Sequence, residues 1–282
     1  MNGPVSESVT TTTAPGAVEV LGRISAALDD LPAHRPVAAK VIAEADDHRS
    51  DATSLGRTLS YDPALVAKVL RLANSAYFGL SGRVSAPGFA VTVVGFSTVR
   101  SLAVSAMAGL DDVPEALEGF WDRSVLTAVA AAEFAPRLRC KAPDAFSVGL
   151  LARLGQALLV RADPVEYPLL VAGAADREDL LAAENRRYGA PHTRVSAEAL
   201  AAWAFPDDLA QALAQVDRPG WATPLATCVR LGVELSERIL DPARRPAPAD
   251  QLSAGHVRDA EVDALRTVVT RTAAELVQLL TS

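Results

Sequence analysis

Asp62-Pro63-Ala64-Leu65-Val66-Ala67-Lys68-Val69-Leu70-Arg71-Leu72-Ala73-Asn74-Ser75-Ala76-Tyr77-Phe78 is the stretch on which the fold turns. Asp62 offers a carboxylate to the free amides of a helix start. Pro63 takes the first helical position, where a missing N–H removes no hydrogen bond. Leu65, Val66, Val69, Leu70, Leu72 and Ala73 then recur on one broad apolar face, with Lys68 and Arg71 outside it. The same pattern continues upstream, where Val20, Leu21, Ile24 and Leu28 mark a helix over 17–30. Short helices follow over 37–45 and, behind the capping residues Asp51 to Thr53, over 54–60. Downstream, a glycine-bearing turn at 79–82 leads to helices over 87–94 and 97–108. Long helices are predicted over 117–138 and 142–160, and further ones over 164–172, 176–188, 192–204, 206–215, 225–240 and 261–280. No segment alternates apolar and polar residues long enough to argue a strand. The expected fold is all-α: a disordered tail over 1–16, an N-terminal helical subdomain over 17–110, and a helical bundle over 111–282 with the N-terminal part packed on it. The polar stretch 111–114 marks the border. The proline- and arginine-dense stretch 241–250 is expected to be a mobile loop.

Composition narrows the function. Half of the 282 residues are apolar but only 5% are aromatic, which suits close-packed helices rich in Ala and Leu. A formal net charge of −7 argues against a chain whose main task is gripping nucleic acid or anionic lipid. Cys140 and Cys228 are too few and too isolated for a disulfide framework or a thiolate metal site. Residues 1–16 lack the apolar run of a signal peptide, and no stretch reaches the ~20 uncharged apolar residues of a membrane span. A soluble cytoplasmic protein is expected.

The quoted run resembles the N-terminal signature of HDOD domains, the HD-related output domains of bacterial signalling proteins. Leu31-Pro32, Leu55, Gly95 and Arg100-Ser101-Leu102 fall in that family's order. So do Phe120-Trp121, Ala145-Phe146, Gly149-Leu150-Leu151, Leu154-Gly155, Glu184, His192 and Trp203-Ala204-Phe205-Pro206. The similarity covers about 18–240; the run from Asp62 to Phe78 is its most specific part and the C-terminal matches are looser. It implies an all-helical fold and a regulatory role, usually without demonstrated catalysis.

Within the wider HD superfamily, metal-dependent phosphohydrolases carry adjacent His and Asp ligands on the helix that Gly149-Leu150-Leu151-Ala152-Arg153-Leu154-Gly155 resembles. Here Ala152 and Arg153 stand at those two places. A methyl group cannot coordinate a metal, and a guanidinium repels a divalent cation. By the same resemblance Arg123 replaces the first His, and the late Asp, expected within 229–235, falls on Gly232 or Val233. His192 survives, but one imidazole does not hold a metal. Neither catalytic nor metal-binding residues, nor a cofactor, are therefore expected. If the ancestral geometry persists, Arg123 and Arg153 lie together with His192 close by. Such guanidiniums require acids or a bound anion. Either an internal ion-pair cluster with Glu133, Glu184 or Asp122 forms, or a pocket binds the phosphates of a signalling ligand such as a cyclic dinucleotide.

Three surface readings complete the set. Arg71, Asn74 and Tyr77, at spacing three, could present one helix face to a signalling or regulatory protein, although Tyr77 and Phe78 equally suit core plugs and Asn74 a helix cap. The segments 54–60 and 63–75 have the outline of a DNA-binding helix-turn-helix, with Lys68, Arg71 and Asn74 toward a major groove; the acidic balance opposes it. Val262, Leu265, Val269, Leu276 and Leu279 form a near-heptad seam that could pair two chains into a homodimer, or pack on the chain's own core. A residual metal-dependent phosphodiesterase remains the enzyme alternative. Cys140 sits among Arg137, Arg139 and Lys141, cations that could lower its thiol pKa.

Overall fold

In the computed structural model the described residues are 22, 24, 26, 31, 35–79, 82–110, 117–203, 205–218 and 222–281. The expected tail over 1–16, most of the helix over 17–30 and the border at 111–114 lie outside them. Among the described residues there are helices and turns and no strand. Local signals place the first elements: α1 (Pro36–Asp46), α2 (Ala52–Leu59) and α3 (Pro63–Ala73). Asp51 caps α2 by accepting from Ser54 N at 2.7 Å. Asp62 caps α3 in the same way, accepting from Leu65 N at 3.0 Å. Each carboxylate satisfies an amide that has no partner within its own helix. Then come α4 (Pro87–Val94) and α5 (Phe96–Met107), turned sharply at Gly95. Its φ is 84°, a value glycine adopts without steric conflict.

The second half is built around α6 (Phe120–Phe134). It packs against α7 (Ala142–Leu150), α13 (Pro224–Leu240) and α15 (Asp259–Thr281). Between them run α8 (Leu154–Ala162), α9 (Glu166–Gly173), α10 (Arg177–Tyr188), α11 (His192–Ala202), α12 (Asp207–Ala214) and the one-turn α14 (Ala249–Leu252). Small residues allow the tight crossings. A Cβ on Gly149 would lie 2.8 Å from Ala128 Cα, and one on Gly232 only 2.6 Å from Thr127 O. Gly232 is thus a crossing point of α13 on α6, with no room for a larger side chain.

Two predicted helices differ from the structure. The span 117–138 is α6 followed by a 3-10 turn, Ala135–Leu138, because Pro136 lacks the N–H that would continue the α ladder. The span 142–160 is broken at Leu151–Arg153 into α7 and α8, so Ala152-Arg153 lies at a junction, not on a helix. Residues 151–153 contain no helix breaker; the break comes from tertiary contact. Gly155 at the start of α8 lies so close to α11 that a Cβ would sit 1.9 Å from His192 O. Ser196 Oγ ties the two helices, accepting from Gly155 N at 2.7 Å and donating to His192 O at 2.9 Å.

The two halves are joined by specific contacts. Buried Arg100 reaches Asp46 at 2.9 Å and lies 4.9 Å from the Phe205 ring centre. It thereby links α5 to α1 by charge and to the α11–α12 connection by a cation–π contact. Glu275 on α15 accepts from Ala76 N at 2.7 Å. Val262, Val269 and Leu276 of the heptad seam are buried within the chain's own core, and Leu265 and Leu279 are partly buried against it. The expected mobile loop is instead anchored: Ala247 N and the Arg244 guanidinium donate to Glu234, and Arg238 donates to Ala247 O.

Candidate functional site

Arg123 on the first turn of α6, Arg153 at the α7–α8 junction and Glu237 near the end of α13 converge. Glu237 Oε1 accepts from Arg153 Nη2 at 2.6 Å, and Oε2 accepts from Arg123 Nη1 at 3.1 Å. Arg153 is 5% exposed; its Nη1 has one long bond to Gln156 at 3.4 Å and its buried Nε has no partner among the described residues. Burial, with Arg177 and Arg123 adding to it, brings the Arg153 pKa down to about 10, while Glu237 opposes the fall. Burial pushes the Glu237 carboxyl up, but Arg153 and Arg123 outweigh it, and the net shift is down. The resulting Arg–carboxylate–Arg bridge joins three elements far apart in sequence.

The acids named from sequence are elsewhere. Asp122 is exposed, Glu133 lies near Tyr77, and Glu184 serves His192. The acid facing both guanidiniums is Glu237, just over one turn beyond Gly232 and outside the expected window. One of the two acidic residues on α13, it carries no signal of its own; only the crossing geometry selects it over Glu234.

His192 opens α11 and is fully buried. Glu184 on α10 accepts from its Nδ1 at 2.8 Å, from its backbone N at 2.8 Å and from Tyr167 OH at 2.7 Å. A carboxylate only accepts, so Nδ1 carries the proton. Burial raises the Glu184 carboxyl and His192 lowers it further than burial lifts it. His192 Nε2 lies 3.5 Å from Arg177 Nη1. Arg177 in turn donates to Asp217 at 2.7 Å, and Thr193 Oγ1 donates to the same carboxylate at 2.6 Å. His192 thus belongs to a second polar chain, linked to the first through Arg177.

A cavity of about 470 Å³ borders both groups. Arg123, Arg153, Arg177 and Arg244 line it, but so do Glu118, Asp176, Glu237 and Asp241, so formal charges balance. The donor set does not fit a divalent metal. Ala152 has no donor, the positions nearest Glu237 are guanidiniums, and Glu184 is already engaged with His192. Among the described residues no three His, Cys, Asp or Glu side chains converge as ligands.

The α3 candidates are largely occupied. Asn74 donates to Leu70 O and Val84 O and accepts from Val84 N, closing the turn that follows α3. Tyr77 is half-buried, edge-on to Phe78 at 4.9 Å and stacked on Phe146 at 5.7 Å; burial first, then Glu133, pushes its phenol up to about 12. Arg71 is partly buried, with an unpartnered Nε. Cys140 and Cys228, isolated in sequence, are close enough for their thiols to influence each other, and both are free. Burial raises both thiols, so the flanking cations do not lower Cys140.

Known structures share this fold. A protein from Shewanella amazonensis SB2B, provisionally named a phosphohydrolase, superposes with a TM-score of 0.70 at 24% identity, covering 94% of this chain and 98% of its own. An HDOD domain protein of unknown function from Geobacter sulfurreducens gives a TM-score of 0.65 at 17% identity, covering 92% and 99%. A protein from Marinobacter aquaeolei VT8, provisionally named for signal transduction, gives 0.59 at 22% identity, covering 94% of this chain and 64% of its own. At these identities the likeness is one of fold. No curated protein sequence matches the chain. The sequence model of the HDOD domain matches residues 31–219, well over half of the chain, with the Asp62–Phe78 run and His192 inside the match. By that match this chain belongs to the HDOD domain family.

Proposed function

We propose that the chain is a non-catalytic signal-transduction module of the cytoplasm that acts by binding a partner protein. One observation carries the reading: Arg123 and Arg153, which by resemblance stand where an HD enzyme has metal ligands, are bridged by the Glu237 carboxylate. Without an ion, no bound water is made nucleophilic and no Lewis acid offsets charge on a phosphoryl group. Exposed apolar side chains support a contact surface. Val165 and Leu169, one helical turn apart at the start of α9, are 67% and 65% exposed. Apolar side chains left together in solvent favour a partner that covers them.

A second reading makes Arg123, Arg153 and His192 a site for the phosphates of a nucleotide. The 470 Å³ cavity and the unpartnered Arg153 Nε favour it for the two arginines, whereas His192 is fully buried and does not line the cavity. The carboxylate already seated between the guanidiniums, and the balanced lining, weigh for internal pairing. The DNA-binding reading loses support because α3 offers few exposed side chains and Asn74 is engaged.

Turnover of phosphodiesters tests the proposal. Purified protein supplied with Mn²⁺, Fe²⁺ or Mg²⁺ is expected to release no product from linear or cyclic dinucleotides above the buffer rate. Metal-dependent release abolished by an Arg153→Ala substitution would refute it.

A further inference from the structure

At the other end of the antiparallel pair α6 and α13 lies a second cavity, of about 570 Å³. It opens beside the 3-10 turn that follows α6, the first turns of α13 and the segment after α14. Fourteen residues of α6 and its extension separate Arg123 from Arg137, roughly 20 Å along a helix. This cavity differs from the first in charge: Arg137, Arg139, Arg230 and His256 line it, and no carboxylate does among the described residues. In a chain of net charge −7 that concentration of three guanidiniums is local.

Each cation is placed so as to leave capacity for an anion. Arg230, 9% exposed, is held by carbonyl oxygens alone. Its Nε reaches Val216 O at 2.5 Å, and its Nη2 reaches Gln215 O and Arg218 O at 2.9 and 2.7 Å. Its Nη1 has only a 3.5 Å contact to Leu252 O, and none of the carboxylates among the described residues pairs with it. Carbonyl dipoles satisfy its donors without cancelling its charge. Arg137 donates from Nη1 to Glu133 O at 3.1 Å and has a loose 3.6 Å contact to Glu261, which also serves Arg258. Arg139 is exposed and has no side-chain partner among the described residues.

Arg139 also adopts a left-handed conformation, φ 56° and ψ 34°, at a position closed by Cys140 N bonding to Ala135 O at 2.9 Å. Glycine takes such a helix-ending position without steric conflict. The only other non-glycine residue in this region of conformation among those described, Ala254, lines the same cavity. An arginine held where glycine would be easier fits selection for its side chain.

We propose that this cavity binds a small phosphate-bearing molecule, with the Arg137, Arg139 and Arg230 guanidiniums and His256 receiving its phosphate oxygens. The exposed forks of Arg137 and Arg139 suit phosphate geometry, the buried charge of Arg230 adds to theirs, and the volume suits a nucleotide-sized ligand. The site is independent of the former metal centre.

Calorimetric titration of the full chain with pyrophosphate tests the assignment, at low ionic strength and against chloride matched in ionic strength. Arg139→Gly is the informative variant, because it removes a guanidinium while relieving the backbone. It should bind pyrophosphate at least tenfold more weakly, with a melting temperature no lower than that of the parent. Arg123→Gln, at the other cavity, should bind like the parent. Pyrophosphate binding equal in Arg139→Gly and parent, binding lost in Arg123→Gln instead, or no parental binding above the chloride control would each overturn the proposal.

Discussion

Glu237 is the residue whose removal should matter most. Replacing it with Gln leaves Arg153 charged, buried and without its carboxylate, a change that typically costs about 3–5 kcal/mol. Arg123 is the contrasting case, because 39% of its side chain is exposed. There a substitution by Gln should cost less than about 1 kcal/mol. Urea unfolding of the two variants separates these outcomes, and equal losses would contradict the asymmetry. The depressed carboxyls add a pH signature. Glu184 and Glu237 titrate below their ordinary value of 4.5 in the folded chain. Their stabilisation is therefore complete above that value and is lost as pH falls through the lowered one. Unfolding free energy should be flat at about pH 6–7 and fall below about pH 4.5. Glu184→Gln should flatten that fall; an unchanged acid limb would remove Glu184 from the account. By resemblance, Ala152 and Arg153 point to this region in the sequence itself. Glu237 does not, because its partners are 84 and 114 residues away and the pairing exists only once α6, α8 and α13 meet.

At the scale of elements, the junction between α7 and α8 is the sharpest test. Gly155→Ala must push α8 from α11, since its Cβ would fall 1.9 Å from His192 O. A loss above about 3 kcal/mol is expected, beyond the usual range for a point substitution. Gly232→Asp, at one of the two positions that the resemblance gives for the late acid, should unpack α13 from α6 without creating metal affinity; tight Mn²⁺ binding by a folded variant would contradict this. Helix starts are readable in the sequence because their causes are local: Asp51 and Asp62 cap where expected, and Pro63 opens α3. The break at Leu151–Arg153 is not. Its residues are ordinary in a helix, and the contact that interrupts them comes from α11. The anchoring of 241–248 is hidden for the same reason, since proline and arginine content says nothing of Glu234 beneath the loop.

Across the whole molecule, α15 closes the chain's own core. Val262, Val269 and Leu276 face the same chain's core, so the heptad seam is already used. Leu276→Ala should therefore lower stability by about 2–5 kcal/mol through a cavity, with no change in molecular mass by light scattering. A dimer that dissociates in this variant would show that the seam pairs chains. Viewed whole, α6 and α13 carry a charge-balanced centre near one end and an acid-free basic cavity at the other. On the proposed reading, the Arg123–Glu237–Arg153 bridge stands in place of a metal centre. Elemental analysis of protein purified without chelators tests that claim most directly. Mn, Fe, Zn and Mg should each be well below one per chain, in the parent and in Arg153→Ala alike. One tightly held ion per parental chain, displaced when Glu237 or His192 is replaced, would contradict it.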